Sequence, residues 1–383
     1  MKDFFYTSLG LMSGTSMDGV DVSIIKSDGY DQFSSIFNDY YEFDNEFYKE
    51  LINLRDKISK YEDLKKYSND LISTERKFTL FNAKIINEII KKSQKKIDLI
   101  GFHGQTIFHS PIEKISKQLG DGKLLSQLTK KNIVYNFRQN DLENGGQGAP
   151  LTPIFHNVLA NKINKKFNLG FPLNFLNIGG ISNITSAVDW KNLENKLNGI
   201  NAYDIGPGNC LIDEWIRKNS KKKYDKDGLI AKSGTIDELV LNQALENFEE
   251  NSNYKKSLDV KDFDIFFAKG LSLENGAATI TNFTARLISN GMKYSHEMVK
   301  PTMNNWLVCG GGRKNKYLLE SIKNTFEKAN IQPIDEYEID GDFVESQAFG
   351  YLAIRSFLKL PISFPSTTGC KEPSNGGVLV KNF

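Results

Sequence analysis

Two glycine-punctuated, hydroxyl-bearing turns lie far apart in this chain, each set against a β-strand pattern, and they limit what it can fold into. The first is Gly10-Leu11-Met12-Ser13-Gly14-Thr15-Ser16-Met17-Asp18-Gly19, between Phe4-Phe5-Tyr6 and Val20-Asp21-Val22-Ser23-Ile24-Ile25. The second is Asn177-Ile178-Gly179-Gly180-Ile181-Ser182-Asn183-Ile184-Thr185, after Leu173-Asn174-Phe175-Leu176. Glycine removes the Cβ that would block a phosphate, so backbone N–H groups and hydroxyls can close around its oxygens. A single glycine-rich loop is most often a plain tight turn. Two such loops, carrying Ser13, Thr15, Ser16 and Asp18, suggest two similar lobes that grip a nucleotide from both sides.

The remainder of the chain agrees with that layout. Its 383 residues suffice for two domains with their own cores. The net charge of +2 gives no pull toward nucleic acid or a membrane surface. Cys210, Cys309 and Cys370 show no metal-ligand spacing, which fits free thiols in a reducing compartment. There is neither a signal-peptide pattern nor an apolar run of transmembrane length, so a cytoplasmic protein is expected.

Strand and helix signals alternate, predicting an α/β fold. Phe4 to Ile25 reads as a hairpin, with Gly14 and Gly19 supplying the turn. Residues 45–93 read as two surface helices. Ile97 to Phe102 reads as a strand ending at His103-Gly104-Gln105-Thr106, and residues 132–137 as another. Residues 151–163 read as a helix. After residue 173 the hairpin pattern returns. A strand then ends at Asp204-Ile205-Gly206-Pro207-Gly208-Asn209, and helices follow at 210–219, 236–250 and 274–290. Trp306 to Cys309 is a buried strand meeting Gly310-Gly311-Gly312, with a helix over 316–329. The recurrence predicts a duplicated α/β lobe. A Walker motif and a Rossmann glycine fingerprint are both absent, so the nucleotide site is of another type.

Several of these segments together resemble the anhydro-N-acetylmuramic acid kinase family, within the sugar kinase/Hsp70/actin superfamily. They include 10–22, 101–109, 137–156, 176–183, 203–215, 224–228, 276–285, 308–313 and 364–369, with Gly145-Gly146-Gln147-Gly148-Ala149-Pro150-Leu151 and Asp204 to Asn209 the most specific. The resemblance implies two RNase H-like lobes around a central nucleotide cleft, residues 1–136 with 345–383 and residues 137–344. It implies a kinase using ATP and Mg²⁺ that opens a 1,6-anhydro ring with water and phosphorylates O6. Asp141 falls on the catalytic aspartate, the base for the attacking water, with Arg138 orienting it or stabilising charge.

By the same resemblance Gly10, Ser13, Gly14, Thr15, Ser16, Asp18 and Gly19 form the first phosphate turn. Gly179, Gly180, Ser182, Asn183, Gly206, Gly208 and Asn209 form the second, and Gly310, Gly311, Gly312 and Arg313 a shelf for adenosine. Asp18 and Asp204 are the metal candidates, through water. His103, Gln105, Gly146, Gln147, Asp204 and Glu345 are the sugar-side candidates, with His103 and Gln105 either lining the sugar pocket or holding a loop. Asp342 matches the acidic partner of Glu345, His156 reads as core or as a support behind the site, and His296 as surface. The family often has an arginine where this chain has Val260, in Lys256-Ser257-Leu258-Asp259-Val260. Homodimerisation is plausible from the resemblance. A kinase of the same fold acting on another sugar, or a non-enzymatic nucleotide-binding protein, would share the phosphate turns; fold alone does not separate them.

Overall fold

The structure is a computed structural model describing residues 4–189, 199–249, 257–299 and 304–383. It separates into two compact units. The first runs to Asn161 and resumes at Phe343; the second takes in Lys162–Asp189 and Gly199–Asp342.

In the first unit, β1 (Tyr6–Ser13), β2 (Gly19–Ser27) and β3 (Phe33–Glu42) form an antiparallel meander. β4 (Leu99–Ser110) then lies parallel to β1, and β6 (Asn132–Tyr135) parallel to β4, while β5 (Ile115–Leu119) folds back on the far half of β4. A parallel neighbour needs a long crossover. The helix Ser68–Ser93 lies within it and buries Phe78, Ile85, Ile86 and Ile89 against the sheet's core. β1 and β2 are buried on both faces, so they read as near-continuous apolar runs; β3, at the edge, is exposed or half-buried throughout.

The second unit repeats the scheme. β7 (Leu173–Ile178), β8 (Ile181–Ala187) and β9 (Asn201–Pro207) are an antiparallel meander. β10 (Asn305–Cys309) lies parallel to β7 and β11 (Asn330–Pro333) parallel to β10. The chain closes with β12 (Val378–Val380), antiparallel to β6 in the first sheet. The orders β12-β6-β4-β1-β2-β3 and β11-β10-β7-β8-β9 therefore share one pattern, in which two parallel strands are added beside the first strand of a meander. That is the RNase H-like order, present twice. The second core gathers Trp306, Trp215, Ile178 and Ile280 under the helix Leu273–Val299.

Three details differ from expectation. Residues 45–93 form three helices, Asn45–Lys57, Tyr61–Lys66 and Ser68–Ser93, because Asp63 accepts from the N–H groups of Ser59 and Lys60 and starts a new helix there. The strand expected to end at His103 continues to Ser110, because residues 105–110 are paired by β5. The division between units falls at Asn161 rather than 136. Residues 137–161 cluster with the first unit, where Phe155 packs on Phe33 and Tyr351. No helix among the described residues is long and apolar enough to cross a membrane. None of the three cysteines is in a disulfide.

Candidate active site

The first unit builds a buried carboxylate. Beyond β6 the short helix Gln139–Glu143 places Asp141 in its first turn, and the chain doubles back through Gly145 (φ +84°) and Gly148 (φ +72°). This return brings the Gly148 N–H to Asp141 Oδ2 at 2.7 Å and the Gly146 N–H to the Asp141 carbonyl at 2.8 Å. A Cβ on Gly146 would lie 2.2 Å from Oδ2, so only glycine fits beside the carboxylate. The other oxygen, Oδ1, accepts from the Thr368 hydroxyl at 2.6 Å. Thr368 also accepts the Gln147 N–H on its carbonyl at 2.8 Å, and Lys371 donates to the Asn144 carbonyl at 3.1 Å. The segment after the helix Val344–Phe357 thus closes over the glycine loop and holds the acid from a second side. Gln147 enters this site through its backbone.

Arg138 lies three residues before Asp141 and points elsewhere. Its Nη1 donates to the Gly148 carbonyl at 2.8 Å, and its Nε and Nη2 reach His103 Nε2 at 3.2 and 2.9 Å. His103 Nδ1 lies 2.8 Å from the Gly104 carbonyl, which can only accept. The proton therefore belongs on Nδ1, and Nε2 presents its lone pair to the guanidinium. Burial, reinforced by the Arg138 charge, pushes the His103 pKa down to about 3. Both ring nitrogens are committed, which fits the loop-holding alternative for His103: a neutral acceptor that aims Arg138 at the glycine loop. His109 bonds Ser116 at 2.9 Å and is pushed down to about 4, by burial and then by Arg138. His156 is buried in the core, and burial pushes it down to about 3. His296, expected at the surface, is half-buried and edge-on to Phe326.

The first glycine turn divides its labour. Ser13 is buried, and its hydroxyl is shared between the Gly19 carbonyl at 2.8 Å and Gln105 Oε1 at 2.6 Å. Gln105 Nε2 donates to the Gly14 carbonyl at 3.1 Å. Gln105, expected to line the sugar pocket or hold a loop, holds the first glycine turn, and Ser13 is its clamp. Gly10 is a packing glycine: a Cβ there would sit 1.9 Å from the Ser346 carbonyl oxygen. At Gly19 a Cβ would meet Tyr40 and Tyr41. The turn's positive φ falls on Met17 (+57°), not on a glycine. What remains turned outward is Gly14, Thr15, Ser16 and Asp18, with Ser16 Oγ on Asp18 Oδ1 at 2.7 Å. Added atoms at Gly14 would come no nearer than 4.0 Å to anything.

In the second unit three glycine segments meet. The Gly179 carbonyl accepts the Asn209 N–H and the Gly180 carbonyl the Gly208 N–H, both at 2.8 Å, stitching the β7–β8 turn to the start of the helix Cys210–Asn219. Gly310 (φ +77°) brings the third segment against the end of β7, where a Cβ would lie 2.6 Å from Asn177 Oδ1 and from the Ile178 carbonyl oxygen. Gly312 packs on Ile178 and Gly206 on Leu287, whereas Gly311 faces only Asn209 Nδ2 at 3.8 Å. Ser182, expected to bind phosphate, is fully buried and donates to the Pro207 carbonyl at 3.1 Å. Arg313, expected against adenosine, is held by Asp335 (2.7 and 3.0 Å), Asp342 (2.7 Å) and the Gly310 carbonyl. Burial alone would raise both carboxylates, but Arg313, joined at Asp342 by Lys314, outweighs it and keeps them low. This guanidinium shapes the shelf from beneath.

Asn177, Asn183 and Asp204 are register partners across β7, β8 and β9, so they form one polar row on one face of the sheet. Asp204 is buried and accepts from the Leu258 N–H at 2.9 Å and the Ser257 hydroxyl at 3.2 Å. Lys256 lies outside the described residues. Glu345 is half-buried in the first turn of Val344–Phe357. No group of three His, Cys, Asp or Glu suited to a metal lies among the described residues. Sparse ligation fits Mg²⁺, which keeps several waters and takes one or two carboxylates plus phosphate oxygens; Asp18, outward beside two hydroxyls, is a donor of that kind. Sequence reasoning missed Thr368, although Ser366-Thr367-Thr368-Gly369 combines hydroxyls with glycine as the other turns do.

Two RNase H-like sheets with glycine turns at strand ends, and a clamped buried acid in the first unit, define a duplicated α/β protein. The family described as anhydro-N-acetylmuramic acid kinase matches residues 6–382. Relatives of that name are similar over nearly their whole length. The one from Pelagibacter ubique (strain HTCC1062) is 55% identical, covering 99% of each chain. That from Agrobacterium fabrum (strain C58 / ATCC 33970) is 36% identical, covering 98% of each. Among solved structures, the activator of the 2-hydroxyisocaproyl-CoA dehydratase from Clostridium difficile with bound ADPNP covers 91% of this chain and 94% of its own at 10% identity and a TM-score of 0.43. Strand order, not that overlap, defines the fold here. The chain belongs to the anhydro-N-acetylmuramic acid kinase family.

Proposed function

We propose that this chain performs the reaction its family is named for: with ATP, it opens the 1,6-anhydro ring of anhydro-N-acetylmuramic acid and phosphorylates O6, giving N-acetylmuramic acid 6-phosphate for cell-wall recycling. The observation that carries this reading is the buried Asp141 carboxylate, held on both oxygens within a glycine loop. A water nucleophile needs a base held in place. Asp141 takes a proton from water as the water oxygen bonds to C1. The C1–O6 bond breaks, its electron pair stays on O6, and O6 attacks the γ-phosphorus as ADP leaves.

Gly14, Thr15, Ser16 and the backbone at Gly179, Gly180, Gly208 and Asn209 cradle phosphate, with Asn183 beside them. Gly310, Gly311 and Gly312, supported by Arg313, form the nucleoside shelf. Asp18 and Asp204 would hold Mg²⁺ through water. When bound, that ion neutralises phosphate charge, which is most of what a protein contributes to phosphoryl transfer. Gly146, Gln147 and Glu345 face the sugar, and Arg138 supports the loop. A cytoplasmic setting and a homodimer belong to the same reading. A coupled ADP-release assay tests it with anhydro-N-acetylmuramic acid, N-acetylmuramic acid and N-acetylglucosamine. Turnover with the anhydro sugar alone is expected; turnover only with an open sugar would move the substrate, and ATP binding without turnover on any would remove the enzyme reading.

A further inference from the structure

Thr368 lies far from Asp141 in sequence, yet its hydroxyl donates to that carboxylate at 2.6 Å to Oδ1, with both residues buried and the Cys370 thiol also hydrogen-bonded to the pair. The Gly148 N–H occupies Oδ2 at 2.7 Å. Two donors on opposite oxygens fix the rotation of a carboxylate, which one donor leaves free to swing. Thr368 is itself fixed: its N–H donates to the Phe364 carbonyl at 3.0 Å, and its carbonyl takes the Gln147 N–H at 2.8 Å. The next residue, Gly369 (φ +74°), has nothing within 4 Å of where its Cβ would stand.

We infer that Thr368 is a positioning residue for ring opening, the second half of a clamp that sets which lone pair of Asp141 meets the attacking water. The inference rests on the Asp141 reading above. A base of this kind contributes roughly 10²–10⁴-fold, and much of that depends on alignment. Thr368→Val keeps the shape and removes the donor. It lowers kcat about tenfold or more, while KM for ATP and for the anhydro sugar stays within about twofold. Thr368→Ser restores the donor and most of the kcat. Loss of packing alone would not produce this pattern, since Val preserves volume and Ser does not.

The experiment measures kcat and both KM values for wild type, Thr368→Val, Thr368→Ser and Asp141→Asn, with melting curves for each. Should the Val variant melt early, Thr368→Ala against Thr368→Ser reads the same loss and rescue. An impaired Val or Ala variant beside an active Ser variant is the expected result. Wild-type kcat in Thr368→Val, or a Ser variant as poor as Val, overturns the inference while an inactive Asp141→Asn leaves the base standing. A fully active Asp141→Asn would remove the base and the clamp together.

Discussion

Asp141 is a short polar residue next to glycines, and on its own such a residue is usually a turn or cap. It is set apart by having a donor on each oxygen and a neighbour, Gly146, where no side chain can fit. Asp141→Asn should reduce turnover at least 10²-fold while ATP still binds, as isothermal titration would show; near-normal turnover would contradict the assignment. The histidines give a second prediction at this scale. Unfolded, each takes up a proton near pH 6.5, whereas folded His103 and His156 resist to about 3 and His109 to about 4. Their contribution to stability is complete above pH 6.5 and is lost as pH falls toward those values, by roughly 1.4 kcal/mol per pH unit for each. Melting temperature should fall between pH 7 and 5, and His156→Gln should flatten the slope. An unchanged slope in that variant would count against the assignment.

Elements explain which glycines serve the fold and which serve the ligand, a difference that composition does not carry. Gly10 and Gly101 let the helix Val344–Phe357 lie directly on β1 and β4, where a Cβ would come within 1.9 and 2.1 Å of helix carbonyl oxygens. Gly14, four residues on, has empty space around it. Gly10→Ala should destabilise by about 1–3 kcal/mol in a urea titration, through overpacking against backbone. Gly14→Ala should leave the urea midpoint alone and raise KM for ATP several-fold. If the two variants behaved alike, the division between packing and binding glycines would fail. From sequence the two are the same residue in the same motif. The hairpin itself was legible, because apolar runs flank the turn. The bracing of that turn by Gln105 was not, since 91 and 92 residues separate it from Gly14 and Ser13, and the parallel pairing of β1 with β4 brings them together.

At the scale of the whole chain, the recurrence of a hairpin followed by βα units foretold a duplicated lobe, and both sheets share one strand order. The dividing line was harder to place. The loop after β6 reads as the start of something new, but it closes onto a segment past residue 360, and such a long-range bond has no local signature. The same reason hid Thr368 and the hold of Ser257 and Leu258 on Asp204. Residue types and glycine spacing mark where chemistry is concentrated; the partners that aim it arrive from remote parts of the chain. The central claim joins a ring hydrolysis to a phosphoryl transfer in one reaction. The measurement that tests it most directly is the product itself, by mass spectrometry and phosphorus–proton NMR after a reaction with ATP and the anhydro sugar. The account predicts one water and one phosphoryl group added per ADP released, with phosphate on O6. A phosphorylated product with the anhydro ring intact, or ADP formed with no phosphosugar, would contradict it.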